Sequence, residues 1–410
     1  MNERHACRSC GRKGLKTILS LGRTPLANAL RRPEDAGQPE ATFPLDLAFC
    51  TGCSLVQILD TVPPEHLFDD YPYFSSFSDT MVSHAATLAN RLMIERKLGP
   101  MSLVAEAASN DGYLLKAYKA AGVPVLGIEP AKNVAAVAVA RNGIPTRVAY
   151  FGDECAERLA AEGLRADVFH AHNVLAHVPD LNGFVRGIRT LLKDNGLAVI
   201  EAPYLKDMLD HCEFDTIYHE HIFYFSLTAL TRCFHRHGLE IVDVERVPIH
   251  GGTLRIFATP TGAAKVSPRV IALRDEEQAW GVSTEAPYRL FAERVETLRL
   301  ELRELLSNLK AEGRSIAAYG ASAKGSTLLN YCGIGRDTLD FVVDRSTVKQ
   351  GRVTPGTGLK IFAPDHLLEE MPDYTLLLTW NFAEEILKQQ AEYRARGGRF
   401  ITPVPTPKVA

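Results

Sequence analysis

The chain has 410 residues, 46 Lys+Arg against 49 Asp+Glu and a net charge of -3, which is long enough for two or three hydrophobic cores and too short of positive charge to grip a nucleic-acid backbone. No run of about 18 apolar residues occurs, and Met1-Asn2-Glu3-Arg4-His5 lacks the apolar heart of a secretion signal, so a cytoplasmic chain with neither membrane nor nucleic acid as partner is expected.

Four of the eight cysteines form two pairs, Cys7-Arg8-Ser9-Cys10 and Cys50-Thr51-Gly52-Cys53. Two intervening residues let both thiolates of a pair hold one tetrahedral ion from a tight turn, so Cys7, Cys10, Cys50 and Cys53 predict a closed structural zinc site. Disulfides would stay reduced in the cytoplasm, and Cys155, Cys212, Cys233 and Cys332 read as buried hydrophobes. The next segment, Tyr71-Pro72-Tyr73-Phe74-Ser75-Ser76-Phe77-Ser78, carries more aromatics than a linker requires. It either covers a ligand, through Tyr71, Tyr73 and Ser75, or anchors the zinc module to the next domain.

From Met101 short apolar runs alternate with helical stretches, the pattern of a parallel sheet flanked by helices. The predicted strands are Leu103–Glu106, Val125–Glu129, Asp167–His172 and Leu197–Glu201. A hairpin follows from Leu239–Val247 to Thr253–Ala258 through Gly251-Gly252. Apolar residues at helical spacing from Leu290 to Leu309 predict one long helix stopped by Gly313. Beyond it the alternation restarts: strands Ser315–Tyr319, Leu339–Asp344, Tyr374–Trp380 and Arg399–Pro403, with helices over Lys324–Tyr331 and Ala383–Ala395. The chain therefore reads as α/β, with a second open α/β unit whose plan repeats the first.

The turn Glu106-Ala107-Ala108-Ser109-Asn110-Asp111-Gly112 and the acid Glu129 closing the next strand predict a nucleoside site at the carboxyl ends of the strands. The turn lacks G-x-G-x-x-G, so no pyrophosphate is expected there; its acids suit a ligand with a cationic amino-acid end, as in S-adenosylmethionine. In the second unit, Gly320-Ala321-Ser322-Ala323-Lys324-Gly325 lies between strand and helix, where amides favour phosphate oxygens, although it is no P-loop. Ser322 and Lys324, with Arg255 as a weaker contact, are the expected partners of a sugar-nucleotide diphosphate.

The turn 106–112, Gly127-Ile128-Glu129-Pro130, His172-Asn173-Val174-Leu175-Ala176-His177 and the strand 196–203 resemble class I S-adenosylmethionine-dependent methyltransferases. Joined in order to the CxxC pairs, Tyr71–Ser78, Tyr218-His219-Glu220-His221, 250–255 and 320–325, they resemble the nucleotide-sugar C-methyltransferases, particularly those acting at C3 of a dTDP-linked 3-amino-4-keto-deoxysugar. The resemblance implies a small N-terminal zinc module (1–68), a Rossmann-like class I methyltransferase domain (69–260) and a second Rossmann-like domain for the sugar nucleotide (261–410). It places Glu106, Ala108, Ser109, Asn110 and Asp111 at the methionine end of the cofactor, Glu129 and Pro130 at its ribose, and Asn173 beneath it.

Methylating a carbon beside a ketone requires a general base, and histidine, with an ordinary pKa of about 6.5, suits the task. Tyr218-His219-Glu220-His221-Ile222-Phe223-Tyr224 concentrates two imidazoles, a carboxylate and two phenols. The expected roles are His221 as base, Glu220 as its orienting or charge-balancing partner, and Tyr218 or Tyr224 as donor to the oxyanion. The preference for His221 over His219 comes from the resemblance, and His177 is the second candidate. An O- or N-methyltransferase and a zinc-ribbon adaptor are the competing readings; a monomer is expected.

Overall fold

The computed structural model describes residues 5–35, 37–63, 76, 79–249 and 251–409. Tyr71, Tyr73, Ser75 and His250 lie outside the described residues.

Three sheets organise the described residues. The first is antiparallel and built from β1 (Lys16–Thr24), β2 (Phe43–Phe49) and β3 (Val56–Ile58). After α1 (Asp79–Glu95) come β4 (Val104–Ala107), α2 (Leu115–Ala120), β5 (Val125–Ile128), α3 (Lys132–Asn142), β6 (Thr146–Arg147), α4 (Asp153–Ala161), β7 (Ala166–His172), α5 (Leu181–Leu191) and β8 (Leu192–Pro203). Next are α6 (Leu205–Asp210), β9 (Phe223–Tyr224), α7 (Leu227–Arg236), β10 (Leu239–Val247) and β11 (Thr253–Pro260). The second sheet has the order β10-β11-β8-β7-β4-β5-β6, parallel from β6 to β8 and ending in the antiparallel hairpin. Strand order reverses between β4 and β7, which opens a crevice at their carboxyl ends.

β9 leaves this domain and joins the first sheet: Val56 faces Tyr224 and Gln57 faces Phe223 in antiparallel register. The amide of Ile58 also donates to the Ile222 carbonyl at 3.0 Å. Phe223 and Phe225 are fully buried in a core continuous through all three sheets. Each such ring contributes roughly 1.5–3 kcal/mol to seating the segment on the N-terminal module.

α8 (Pro268–Trp280) and α9 (Ala286–Ala311) lead to the third sheet. α9 buries Phe291, Val295, Leu298, Leu302, Leu306 and Leu309, the three-and-four spacing that the sequence shows. Then come β12 (Ile316–Tyr319), α10 (Ala323–Cys332), β13 (Val342–Val343), β14 (Ile361–Phe362), α11 (His366–Glu370), β15 (Tyr374–Leu377), α12 (Ala383–Gln389), α13 (Ala391–Ala395), β16 (Arg399–Thr402) and β17 (Lys408–Val409), in the order β14-β13-β12-β15-β16-β17. The helix expected over 383–395 is divided because Gln390, at φ -98° and ψ 29°, departs from helical geometry. Among the described residues no helix is long and apolar enough to cross a membrane.

Candidate active site

Sγ of Cys7 lies 3.4 Å from that of Cys53, and Sγ of Cys10 lies 3.6 Å from that of Cys50. All four sulfurs fall within 4.8 Å of one another. A tetrahedral zinc with bonds of about 2.3 Å holds its sulfurs roughly 3.8 Å apart, so the cluster fits the ion, and the separations are far beyond a disulfide bond of about 2.05 Å. Four thiolates need a cation here.

In the second sheet, Glu129 closes β5 and is buried. Its Oε2 accepts the Asn110 amide at 2.9 Å and its Oε1 the Ala131 amide at 2.9 Å. Burial raises its pKa, and those two amides oppose the rise. The loop holding Asn110 is bent by left-handed residues: Ala108 at φ 51°, Asn110 at 50° and Gly112 at 80°. Only a glycine fits at 112, because a Cβ there would lie 2.6 Å from Cγ1 of Ile144. Across the crevice Asn173 is also left-handed, at φ 54°.

These residues line one end of a cavity of about 420 Å³ whose other walls carry His177, Tyr218, Glu220, His221 and Tyr224. Ala108, Asn110, Glu129, Pro130 and Asn173 are thus brought together with the expected base and its neighbours. His221 is held from both sides: Nδ1 lies 2.8 Å from the Thr216 carbonyl and Nε2 2.9 Å from Tyr218 Oη. A carbonyl only accepts, so Nδ1 carries the hydrogen and Nε2 is the basic nitrogen. His177 Nδ1 donates in the same way to the Glu220 carbonyl at 2.7 Å, and burial brings this ring down to about 4. The two imidazoles meet edge to face at 4.9 Å.

The Glu220 side chain touches neither ring by hydrogen bond; its Oε1 accepts from Nδ2 of Asn28 at 2.7 Å, and burial raises its pKa. It is the backbone of Glu220 that orients an imidazole, and that imidazole is His177. Tyr224 Oη donates weakly to the Thr216 carbonyl at 3.4 Å. His219 turns away from the cavity: it donates to the Pro44 carbonyl at 3.1 Å and packs on Phe43, bracing the N-terminal module.

Glu106, Ser109 and Asp111 are buried behind the cavity wall rather than on it. Burial, reinforced by Glu129, Asp111 and Glu201, pushes the Glu106 carboxyl well above the ordinary range. Arg255 faces a different groove; it donates to Glu201 at 2.7 Å and Glu245 at 2.9 Å. Ser322 caps α10 by accepting the Gly325 amide at 3.0 Å, while Lys324, two residues on, does reach the cavity.

Sequence reasoning missed Asn28, Glu213 and His172 on the wall. His172 ends a buried chain in which Tyr118 Oη lies 2.9 Å from His170 Nε2, and His170 Nδ1 lies 3.0 Å from His172 Nε2. Its own Nδ1 is 3.2 Å from Glu201. Burial opposes ionisation of Glu201, but His172, His84 and Arg255 outweigh it and hold this carboxyl well below its ordinary value. The sequence signal for this chain was the alternation His170, His172 on one strand; Asn28 had none.

Three family models match in order: a zinc binding domain over residues 7–68, a methyltransferase domain over 97–244 and a C-methyltransferase C-terminal domain over 248–405. C-methyltransferase NovU of Streptomyces niveus is 40% identical over 405 residues, 98% of this chain and 96% of that protein. The chain belongs to this C-methyltransferase family. Among solved structures, magnesium protoporphyrin IX methyltransferase from Synechocystis PCC 6803 with bound S-adenosylmethionine matches 45% of the chain and 82% of its own, at 15% identity and a TM-score of 0.34. An S-adenosylmethionine-dependent methyltransferase from Clostridium acetobutylicum matches 44% and 92%, at 12% identity and 0.36. The methyltransferase is an S-adenosylmethionine-dependent enzyme, with zinc at its four-cysteine cluster and a second Rossmann-like unit behind its C-terminal match. That match begins inside the hairpin, so β11 belongs to the donor sheet by hydrogen bonding and to the C-terminal family model by sequence.

Proposed function

We propose that the chain methylates C3 of a dTDP-linked 3-amino-4-keto-deoxysugar, with His221 as the general base, and that one chain holds both sites. In this division residues 1–68 are scaffold, 69–260 hold the methyl donor and 261–410 the nucleotide end of the acceptor. The observation that carries the reading is the shared cavity: His221, its basic nitrogen fixed by the Thr216 carbonyl, opens into the same space as Asn110 and Glu129.

S-adenosylmethionine, when bound, supplies an electrophilic methyl group at the end of the cavity that Ala108, Asn110, Glu129 and Asn173 line. His221 Nε2 takes the proton from the carbon beside the ketone; the C–H pair becomes the enolate double bond and the carbonyl pair moves onto oxygen. Once Nε2 is protonated it no longer accepts from Tyr218, whose hydroxyl is released to donate to the enolate oxygen. His177, held neutral by burial, accepts a hydrogen bond from the amino or hydroxyl substituent of the acceptor and excludes water beside the base. The oxygen pair then re-forms the carbonyl while the C=C pair forms the new C–CH₃ bond; the methyl–sulfur bond of a bound donor would break with its pair left on sulfur, and the proton on Nε2 would pass to solvent.

Incubating the keto sugar nucleotide with enzyme and demethylated cofactor in heavy water tests the reading. Deuterium is expected at the carbon beside the ketone, and in a separate incubation with methyl-labelled S-adenosylmethionine the label is expected on that carbon. Label on oxygen or nitrogen, without exchange, overturns it.

A further inference from the structure

His172 ends β7 on the cavity wall, at the crevice where strand order reverses. Beside it in register on β8 stands Glu201, fully buried. Oε1 of Glu201 accepts from Nε of Arg255 at 2.7 Å and lies 2.9 Å from Nε2 of His84, while Oε2 faces Nδ1 of His172 at 3.2 Å. Glu201 is ionised, as its depressed pKa requires. A lone pair on Nδ1 would be repelled by that carboxylate, so the hydrogen of His172 sits there. On the other side of the ring Nε2 lies 3.0 Å from His170 Nδ1, and His170 Nε2 lies 2.9 Å from Tyr118 Oη. Tyr118 is fully buried, and among the described residues His170 is the partner of its hydroxyl. The phenol therefore donates to His170, His170 to His172, and His172 points its hydrogen at Glu201. Both nitrogens of His172 face buried partners, which leaves the cavity the π-system of an imidazole polarised by a carboxylate. The charges behind it lie in line. Arg91 meets Glu245 at 2.5 Å, Glu245 meets Arg255 at 2.9 Å and Arg255 meets Glu201, so the row ends in a carboxylate on the cavity side.

A path from Glu129 at the end of β5 to His177 and His221, in and against the segment after β7, crosses the ends of β4 and β7. A sulfonium has no hydrogen to donate, so lone pairs, π faces and negative potential are what recognise it. We propose that the His172 ring recognises the sulfonium of the methyl donor, with Glu201 as its positioning residue, and so favours the cationic donor over the neutral thioether left after transfer. His172 touches the donor. Glu201 acts through the ring, fixing its tautomer and placing negative charge behind it. Methyl transfer leaves an electron pair on sulfur and ends the attraction, which eases exchange of spent donor for fresh. This role depends on the donor end of the proposed site and on neither the sugar nor the base, because it is tested without acceptor.

Calorimetric titration of the full chain with three ligands reads the role: S-adenosylmethionine, S-adenosylhomocysteine, and sinefungin, in which a carbon bearing an ammonium replaces the sulfonium. All three share their adenosine and amino-acid ends, so those contacts cancel in a ratio of affinities. In His172→Asn the ratio of either cation to the thioether is expected to fall about 3–30-fold, while affinity for S-adenosylhomocysteine changes less than about two-fold. Unchanged zinc content serves as proof of folding. His172→Phe, which keeps a π face, should retain more of the ratio than His172→Asn. Glu201→Gln, which leaves the ring in place, should lower the ratio in the parent and add nothing in His172→Asn; equal effects in both would overturn its positioning role. Equal losses for all three ligands would make His172 a piece of wall and overturn sulfonium recognition. Loss for S-adenosylmethionine alone, with sinefungin unaffected, would assign a methyl contact in place of charge and overturn it as well. A parent that binds none of the three overturns the donor site itself, whereas a parent that binds all three at ratios the variants leave unchanged overturns only the role of His172.

Discussion

Tyr218 Oη lies 2.9 Å from Nε2 of His221, on the opposite side of the ring from the Thr216 carbonyl, 2.8 Å from Nδ1. The backbone thereby selects the tautomer, and the phenol occupies the basic nitrogen until the acceptor arrives. His221→Asn removes the base and is expected to lower kcat and solvent exchange by about 10²–10⁴-fold. Tyr218→Phe removes one hydrogen bond and is expected to cost roughly ten-fold, chiefly in kcat. Exchange and turnover measured side by side check both; a His221→Asn protein as fast as the parent excludes this base.

Glu129 spends one oxygen on each of two backbone amides, so its side chain holds the Asn110 loop as well as facing the cavity. Glu129→Ala should raise KM for S-adenosylmethionine ten-fold or more and leave the KM of the acceptor nearly unchanged. Titration with S-adenosylhomocysteine reads the same loss without turnover.

The parts of this site that lie within one segment were legible in the sequence: the turn 106–112, Glu129 at the end of its strand, and the density of titratable side chains at 218–224. Their assembly was not. Asn28 meets Glu220 only because β9 crosses into the N-terminal sheet, a pairing that two strand residues cannot announce. Arg255 is expected from the sequence as a weaker contact of the diphosphate, yet successive strand residues face opposite sides, and its side chain emerges toward Glu201 and Glu245. The repeated plan was also legible, and it extends to atoms: Asp344 Oδ2 accepts the Ala321 amide at 2.7 Å and Oδ1 the Ser346 amide at 2.7 Å, as Glu129 accepts Asn110 and Ala131. The sequence could not show that Lys349 would lie against this acid, at 3.7 Å from Oδ2, and bond the Ala321 carbonyl at 2.9 Å.

Because β3 pairs with β9 and Asn28 bonds Glu220, zinc acts on the catalytic segment through the module it folds. Cys50→Ser, or treatment with a strong chelator, should release the ion and lower kcat by more than ten-fold, while affinity for S-adenosylhomocysteine falls by less than three-fold. Metal analysis alongside the titration checks this. Equal losses in cofactor affinity and turnover would mean that the donor domain unfolds too. Asn28→Ala, which leaves the cysteines intact, should lower kcat and add nothing further in a Glu220→Gln background.

Glu213 gives the fold a pH dependence whose sign follows from its surroundings. Burial pushes its carboxyl up to about 7; Lys324 opposes the rise, and Asp215 and Asp207 add to it. His211 also faces it, Nδ1 standing 3.5 Å from Oε1. Since the folded value exceeds the ordinary 4.5, the unfolded chain releases this proton first as pH rises. Stability is therefore lost between pH 4.5 and about 7, by up to roughly 3 kcal/mol. Glu213→Gln, which carries no charge in either state, should raise the Tm by about 2–4 °C at pH 8 and by nothing at pH 4.5. Thermal unfolding of both proteins across that range reads the difference directly. A glutamine variant that is less stable at pH 8 than at pH 4.5, relative to the parent, would show that the Lys324 ion pair outweighs burial and that Glu213 is ionised throughout.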